Sequence, residues 1–125
     1  MQKKIKKKKI LEVCCGDGNP FAKKLIPKYD YFGIDISEHL ISIAKKNYGK
    51  KNFKINDAEK INLKNKFDLI ICFHSLWYLP FYTKTIEGMI KLLKPNGCLI
   101  FDALNQNNQS NIFDYKRIVF ETKGI

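Results

Sequence analysis

Three carboxylates stand where they could act on one ligand. Glu12 precedes the turn Gly16-Asp17-Gly18, Asp17 lies within it, and Asp35 closes the next apolar run. Residues 10–21 read Ile-Leu-Glu-Val-Cys-Cys-Gly-Asp-Gly-Asn-Pro-Phe, which predicts a buried strand, a turn and a helix start. Asn19 is expected as the N-cap and Pro20 as the first helical residue, so the amides of that helix start could hold an anionic group. A dinucleotide loop of the form G-x-G-x-x-G would need a third glycine where the chain has Phe21. Glu12 and Asp17 would also repel a pyrophosphate, whereas they favour a ligand that carries positive charge. Asp35 follows Glu12 by 23 residues. Glycine loop and ribose-binding acid stand about 20 residues apart in nucleotide-binding folds, so Asp35 is placed to accept both hydroxyls of a ribose. Without a ligand, the same stretch would be a plain strand–turn–helix junction and Asp35 a strand-end cap.

The elements that must position these groups alternate. The first strand, residues 10–15, is followed by a helix over 20–26 that Pro27 closes, and by a second strand over 31–36. Ser37 is expected to cap a second helix carrying Glu38 in its first turn and Lys45 and Lys46 in its last. Leu40, Ile43, Ala44 and Asn47 form its predicted buried stripe, with His39 facing solvent. A short strand over 52–55 leads to Asn56-Asp57-Ala58, with a helical turn expected over 59–63. Residues 67–73 form the most apolar and hence central strand. Ile86, Met89, Ile90 and Leu93 stripe a third helix, Lys94-Pro95-Asn96-Gly97 is a tight turn, and residues 98–102 are a fifth strand ending at Asp102. Residues 105–111 read as a polar loop, and residues 117–122 lean towards a strand. This succession implies an α/β, doubly wound, mostly parallel sheet with right-handed crossovers and helices on both faces.

The run from Glu12 to Gly18 resembles motif I of class I S-adenosylmethionine-dependent methyltransferases, which reads acid, apolar, Gly, small, Gly, variable, Gly. Cys14 stands where that pattern has its first glycine, a departure from it. Asp35 with Ser37 matches the second motif, and Asp57-Ala58 matches the acid and small residue that hold the adenine amino group in the family. Lys94-Pro95-Asn96-Gly97 resembles the family's Leu-Lys-Pro-Gly-Gly turn, with Asn96 for one glycine. The resemblance spans residues 9–102, the cofactor half, and stops short of the family's seven-stranded sheet. It implies a Rossmann-like fold and S-adenosyl-L-methionine as cofactor. The implied cofactor-binding set is Glu12, Cys14, Gly16, Gly18, Asp35, Ile36, Asp57, Ala58, Cys72 and Phe73. Asp68 reads as structural. The Asn/Asp-Pro-Pro-aromatic motif of enzymes that methylate amino groups of adenine or glutamine is absent, which lowers those acceptors.

Composition bounds the alternatives. The chain has 125 residues, 45% of them apolar, enough for one domain with a real core. A basic arm over 1–8 and a domain over 9–125 are the expected division. No apolar run approaches the ~20 residues of a membrane helix and none has the form of a signal peptide, so a cytoplasmic protein without membrane partners is expected. Cys14, Cys15, Cys72 and Cys98 sit in apolar runs without C-x-x-C spacing, which predicts reduced thiols and no metal site. The net charge of +11 invites nucleic acid. However, Arg117 is the sole arginine, and lysine is spread along a chain rich in Asn and Ile, as A/T-rich codons would produce. The arm at Lys3–Lys9 is therefore read as a solvated terminus before a nucleic-acid arm.

The expected function is methyl transfer to a small-molecule acceptor. The alternative is a truncated, inactive fragment acting as an interaction module, its sheet edge after the fifth strand open to self-association. Catalytic residues are left unassigned. His74 is the histidine placed near the expected pocket, with Tyr78 second, and it reads as a partly buried strand-end residue.

Overall fold

The computed structural model describes residues 6–104 and 115–123. The expected polar loop over 105–111 and the first residues of the basic arm lie outside the described residues. Strand β1 (Lys9–Val13) is followed by α1 (Phe21–Leu25), β2 (Asp30–Asp35) and α2 (Glu38–Tyr48). Then come β3 (Phe53–Ile55), β4 (Phe67–Cys72), α3 (Tyr82–Lys91), β5 (Leu93–Leu104) and β6 (Tyr115–Glu121). The sheet order is β3-β2-β1-β4-β5-β6, with only β6 antiparallel. The chain starts in the middle and winds outwards in both directions. The doubly wound, mostly parallel α/β architecture expected from the sequence is present. Chain order reverses between β1 and β4, and ligands of open parallel sheets bind outside the carboxyl ends of the strands at such a point.

Side-chain alternation along β1 builds a core on each face. Leu11 and Val13 join Ile34, Ile70, Met89 and Leu99 on the α3 face, while Ile10 joins Ala22, Tyr31, Ile41, Ala44 and Phe53 on the α1/α2 face. Each fully buried aliphatic side chain contributes about 1.5–3 kcal/mol over its exposed state.

Several local expectations shift. The α2 stripe is rotated: Ile41 and Ala44 are buried and Tyr48 packs with them, while Asn47 is exposed. Tyr48 offers far more apolar surface than Asn47, so packing turns the helix towards the ring. Asn19 is not the cap of α1. Its own N–H donates to Asp17 Oδ1 at 3.0 Å, and the helix starts one residue later than expected, after Pro20, with no side-chain cap. No helical turn forms over 59–63. Asn56 Oδ1 accepts from Asn62 N–H at 3.0 Å, taking an amide that a helical turn would have used, while Asp57 Oδ1 accepts from Glu59 N–H at 2.9 Å in a local turn.

Residues 94–97 do turn sharply, but as a bulge within β5. The β4–β5 register steps from Phe67↔Leu93 to Leu69↔Cys98. Lys9 N–H and Lys94 Nζ converge on Asp68 Oδ2 at 2.8 and 3.3 Å, which gives Asp68 the structural role expected of it. The strand leaning over 117–122 is β6, and it covers the β5 edge expected to be open, from Cys98↔Glu121 to Leu104↔Tyr115.

Candidate active site

The glycine turn, Asp35, Asp57 and the end of β4 all emerge at the carboxyl edge of the sheet. Asp35 ties two of these elements together. Its Oδ2 accepts from Gly16 N–H and its Oδ1 from Ser37 N–H, both at 2.9 Å. The backbone continues the clamp, with Cys15 N–H donating to Ile34 O and Asn56 N–H to Asp35 O, both at 3.0 Å. A carboxylate oxygen has two acceptor sites. With one taken on each oxygen, Asp35 retains capacity for a ligand with two adjacent hydroxyls. Ser37 also caps α2 as expected, accepting from Leu40 N–H at 3.2 Å.

Close packing presses the turn onto β2. A Cβ on Gly33 would lie 2.8 Å from both Cys15 Sγ and Tyr31 Oη. A Cβ on Gly18, where φ is +89°, would lie 2.8 Å from the Tyr48 ring. Cys14, at the position where the motif has glycine, adopts a left-handed φ of 61°. The backbone there keeps the glycine-like conformation, at a cost to a residue with a Cβ of about 1–2 kcal/mol. The neighbouring Cys14 thiol and burial together hold the Cys72 thiol well above the ordinary thiol range. All four cysteines are free.

Glu12 is the buried acid of the site, only 6% exposed. Tyr31 Oη–H donates to its Oε1. Burial pushes the Glu12 carboxyl from 4.5 up to about 7; the Tyr31 hydrogen bond opposes the rise and the Asp35 charge adds to it. Asp17 is used locally, in the turn with Asn19. Ile36 is 67% exposed beside Asp35, an apolar side chain presented to whatever occupies the edge. Ala58 and Cys72 are core residues, which leaves their backbone for any ligand contact. The start of α1 is partly used by the chain itself, since Ala22 N–H donates to Gly18 O at 2.8 Å.

Beyond β4 and β5 lies a cleft of about 210 Å³, lined by Phe21, Phe73, His74, Asp102 and Arg117. The Phe21 and Phe73 rings lie 5.3 Å apart, and Arg117 sits over Phe73 at 6.0 Å. His74 is exposed, not partly buried as expected, and its Nδ1 is 3.3 Å from Asp102 Oδ2. Sequence reading missed Asp102 and Arg117 as cleft residues because their meeting depends on the antiparallel register Asp102↔Arg117, which spacing along the chain does not reveal. It missed Tyr31 as the partner of Glu12, although the alternation of β2 beside β1 carries that signal. A larger recess of about 290 Å³, lined by residues including Lys9, Asp30, Lys51 and Lys64, opens among the strand starts, away from these acids.

A doubly wound, mostly parallel sheet with an acid-flanked glycine turn and a second acid clamped across it places the chain in the Rossmann-like α/β class. Comparison with known proteins narrows the class. The family model described as "Methyltransferase domain" matches residues 4–123, so the likeness runs past residue 102 and through β6. The chain belongs to this family of class I S-adenosylmethionine-dependent methyltransferases. The ubiquinone biosynthesis O-methyltransferase of Coxiella burnetii is 30% identical over 116 residues, covering 87% of this chain and 49% of that protein. The chain thus spans about half the length of the curated relatives it matches. Among solved structures, N-methyltransferase NodS from Bradyrhizobium japonicum superposes with a TM-score of 0.74 at 22% identity, covering 94% of this chain and 87% of that one. PKMT2 from Rickettsia typhi, solved in complex with AdoHcy, has a TM-score of 0.68 at 26% identity, covering 81% of this chain and 22% of that one. No helix among the described residues is long and apolar enough to cross a membrane.

Proposed function

We propose that the chain binds S-adenosylmethionine along the carboxyl ends of β1–β4 and transfers its methyl group to an oxygen of a small-molecule acceptor in the Phe21–Phe73 cleft. The carrying observation is the Asp35 clamp, a carboxylate fixed by Gly16 and Ser37 amides with acceptor capacity to spare. In this reading Asp35 accepts the ribose hydroxyls and Ile36 packs on the adenine. Asp57 and the Ala58 backbone meet the adenine amino group. Gly16, Gly18 and the Cys14 backbone form the cradle, and the backbone of Cys72 with Phe73 closes the far side. Glu12 supplies negative charge beneath the cationic end of the cofactor. The donor set fits a positively charged nucleoside and disfavours a phosphate, because acids dominate it.

The bound cofactor supplies a methyl carbon already activated by its sulfonium. What remains for the protein is alignment of that carbon with the acceptor and exclusion of water, and proximity alone can contribute several kcal/mol. Phe21 and Phe73 offer flat apolar walls to the acceptor. An oxygen acceptor is favoured by the Coxiella burnetii relative, whose name describes an O-methyltransferase.

Isothermal calorimetry with S-adenosylhomocysteine tests the reading. Saturable heat is expected for the wild-type chain, and Asp35→Ala should weaken binding by at least about tenfold, the loss of one charge-assisted hydrogen bond or more. No heat at millimolar ligand rejects it.

A second reading, a module that pairs through its sheet edge, is favoured by one observation: β6 is an edge strand with Val119 and Phe120 exposed. A dimer in light scattering that Val119→Lys dissolves would support it; a monomer would reject it.

A further inference from the structure

We propose that His74 is the general base of the reaction, taking the proton from the acceptor hydroxyl, and that Asp102 positions it. The inference rests on the methyl-transfer reading above and assigns the proton transfer which that reading leaves open.

The geometry points there in three ways. First, one buried carboxylate grips His74 twice. Asp102 Oδ1 accepts from the His74 backbone N–H at 2.7 Å, and Oδ2 lies 3.3 Å from ring Nδ1. Asp102 is 6% exposed while the His74 side chain is 66% exposed, so a fixed anchor presents an accessible ring. Second, His74 takes a left-handed φ of 59° directly after β4 and Phe73, a conformation unfavourable to a residue with a Cβ. Strained backbone of this kind persists where surrounding contacts over-determine it, and it concentrates at working sites. Third, His74 and Asp102 share their cleft with Phe21, Phe73 and Arg117, beside the carboxyl end of β4. Trp77 sets an edge against the imidazole at 6.2 Å and 77°.

The chemistry follows from the donor inventory. An ionised carboxylate only accepts, so the nitrogen facing Asp102 carries the hydrogen and the neutral ring holds its lone pair on Nε2. The acceptor O–H passes its proton to Nε2 as its oxygen forms a bond to the methyl carbon. The methyl–sulfur bond breaks, its electron pair stays on sulfur, and the sulfonium becomes a neutral thioether. The imidazolium then releases its proton to water. Asp102 stabilises that imidazolium, the role of an orienting carboxylate behind a histidine base.

The test uses the full chain, S-adenosylmethionine, and two probes of different acidity, catechol and nitrocatechol. His74→Asn removes the base and keeps a residue that tolerates a left-handed φ. Asp102→Asn keeps an oxygen for the His74 backbone N–H and removes the charge. Transfer to catechol should fall about 10²-fold or more in His74→Asn, and transfer to the more acidic nitrocatechol should fall by about threefold or less, because its oxygen ionises without help. A readout without turnover is the absorbance of nitrocatechol bound beside S-adenosylhomocysteine at one fixed pH. The wild-type complex should hold more of the ionised form than either variant complex. Equal losses on both probes, undiminished catechol transfer in His74→Asn, or identical absorbance in wild type and variants would overturn the proposal. If neither probe is methylated, the absorbance comparison decides alone. Failure of S-adenosylhomocysteine to bind the wild-type chain would overturn the methyltransferase reading itself, and the base with it.

Discussion

Glu12→Gln separates what the buried acid does to the ligand-free fold from what it offers a ligand. The folded-state pKa is raised from 4.5 to about 7, chiefly by burial. A raised carboxyl means that the folded chain holds a proton the unfolded chain has already lost, so the stability this group contributes is fully present below pH about 4.5 and is lost as pH rises through about 7. The displacement corresponds to about 3 kcal/mol across that window, an order-of-magnitude figure. Gln keeps an oxygen for Tyr31 Oη–H and cannot ionise, so it removes this dependence. Its added NH2 group needs a partner of its own, which takes back part of the gain. Urea unfolding followed by circular dichroism at several pH values is the assay, because subtracting wild type from variant cancels every titration the two share. At about pH 8 the variant should be about 1–3 kcal/mol more stable, and at about pH 5 the two should agree within about 1 kcal/mol. A difference between wild type and variant that stays constant across the window would refute the burial argument.

Three further outcomes follow from particular contacts. Because ionised Glu12 favours a cationic ligand, the affinity for S-adenosylmethionine relative to the uncharged-sulfur product should rise several-fold, by about 1 kcal/mol, as pH passes through about 7; a flat ratio in calorimetry would remove Glu12 from the cationic end. Gly33→Ala drives a Cβ to 2.8 Å from Cys15 Sγ and Tyr31 Oη and should destabilise by about 1–3 kcal/mol in urea. Thr85 Oγ1 is buried without a hydrogen-bond partner among the described residues, so the near-isosteric Thr85→Val should stabilise by about 1 kcal/mol, read as a raised urea midpoint.

The parts of the fold legible in the sequence were those set by short-range chemistry. Ser37 capped α2 because a hydroxyl three residues before a free amide needs nothing else. The apolar run at 67–73 became the interior strand β4, and residues 94–97 turned because Pro95, Asn96 and Gly97 suit a bend, with Asn96 adopting a φ of 66°. Where two local options competed, packing decided. Tyr48 displaced Asn47 from the buried stripe, and Asp17 drew the Asn19 amide away from a capping arrangement. The site divides in the same way. The acids and glycines of the turn were readable because β1 and β2 are adjacent in both sequence and space. The Tyr31–Glu12 bond and the pairing of His74 with Asp102 join residues 19 and 28 positions apart across strands. The alternation of β2 beside β1 carries a signal for the first pair, whereas only the assembled register brings the second together.

The most direct measurement is a nitrogen-15 NMR titration of the chain with S-adenosylhomocysteine, repeated on Asp35→Ala. The amides of Gly16, Gly18, Ile36, Ser37 and Ala58 should shift together with one dissociation constant, while those of Lys9, Asp30 and Phe67 at the opposite ends of the strands stay in place. Shifts confined to the amino-terminal edge, or a titration that Asp35→Ala leaves unchanged, would contradict a nucleoside site at the carboxyl edge.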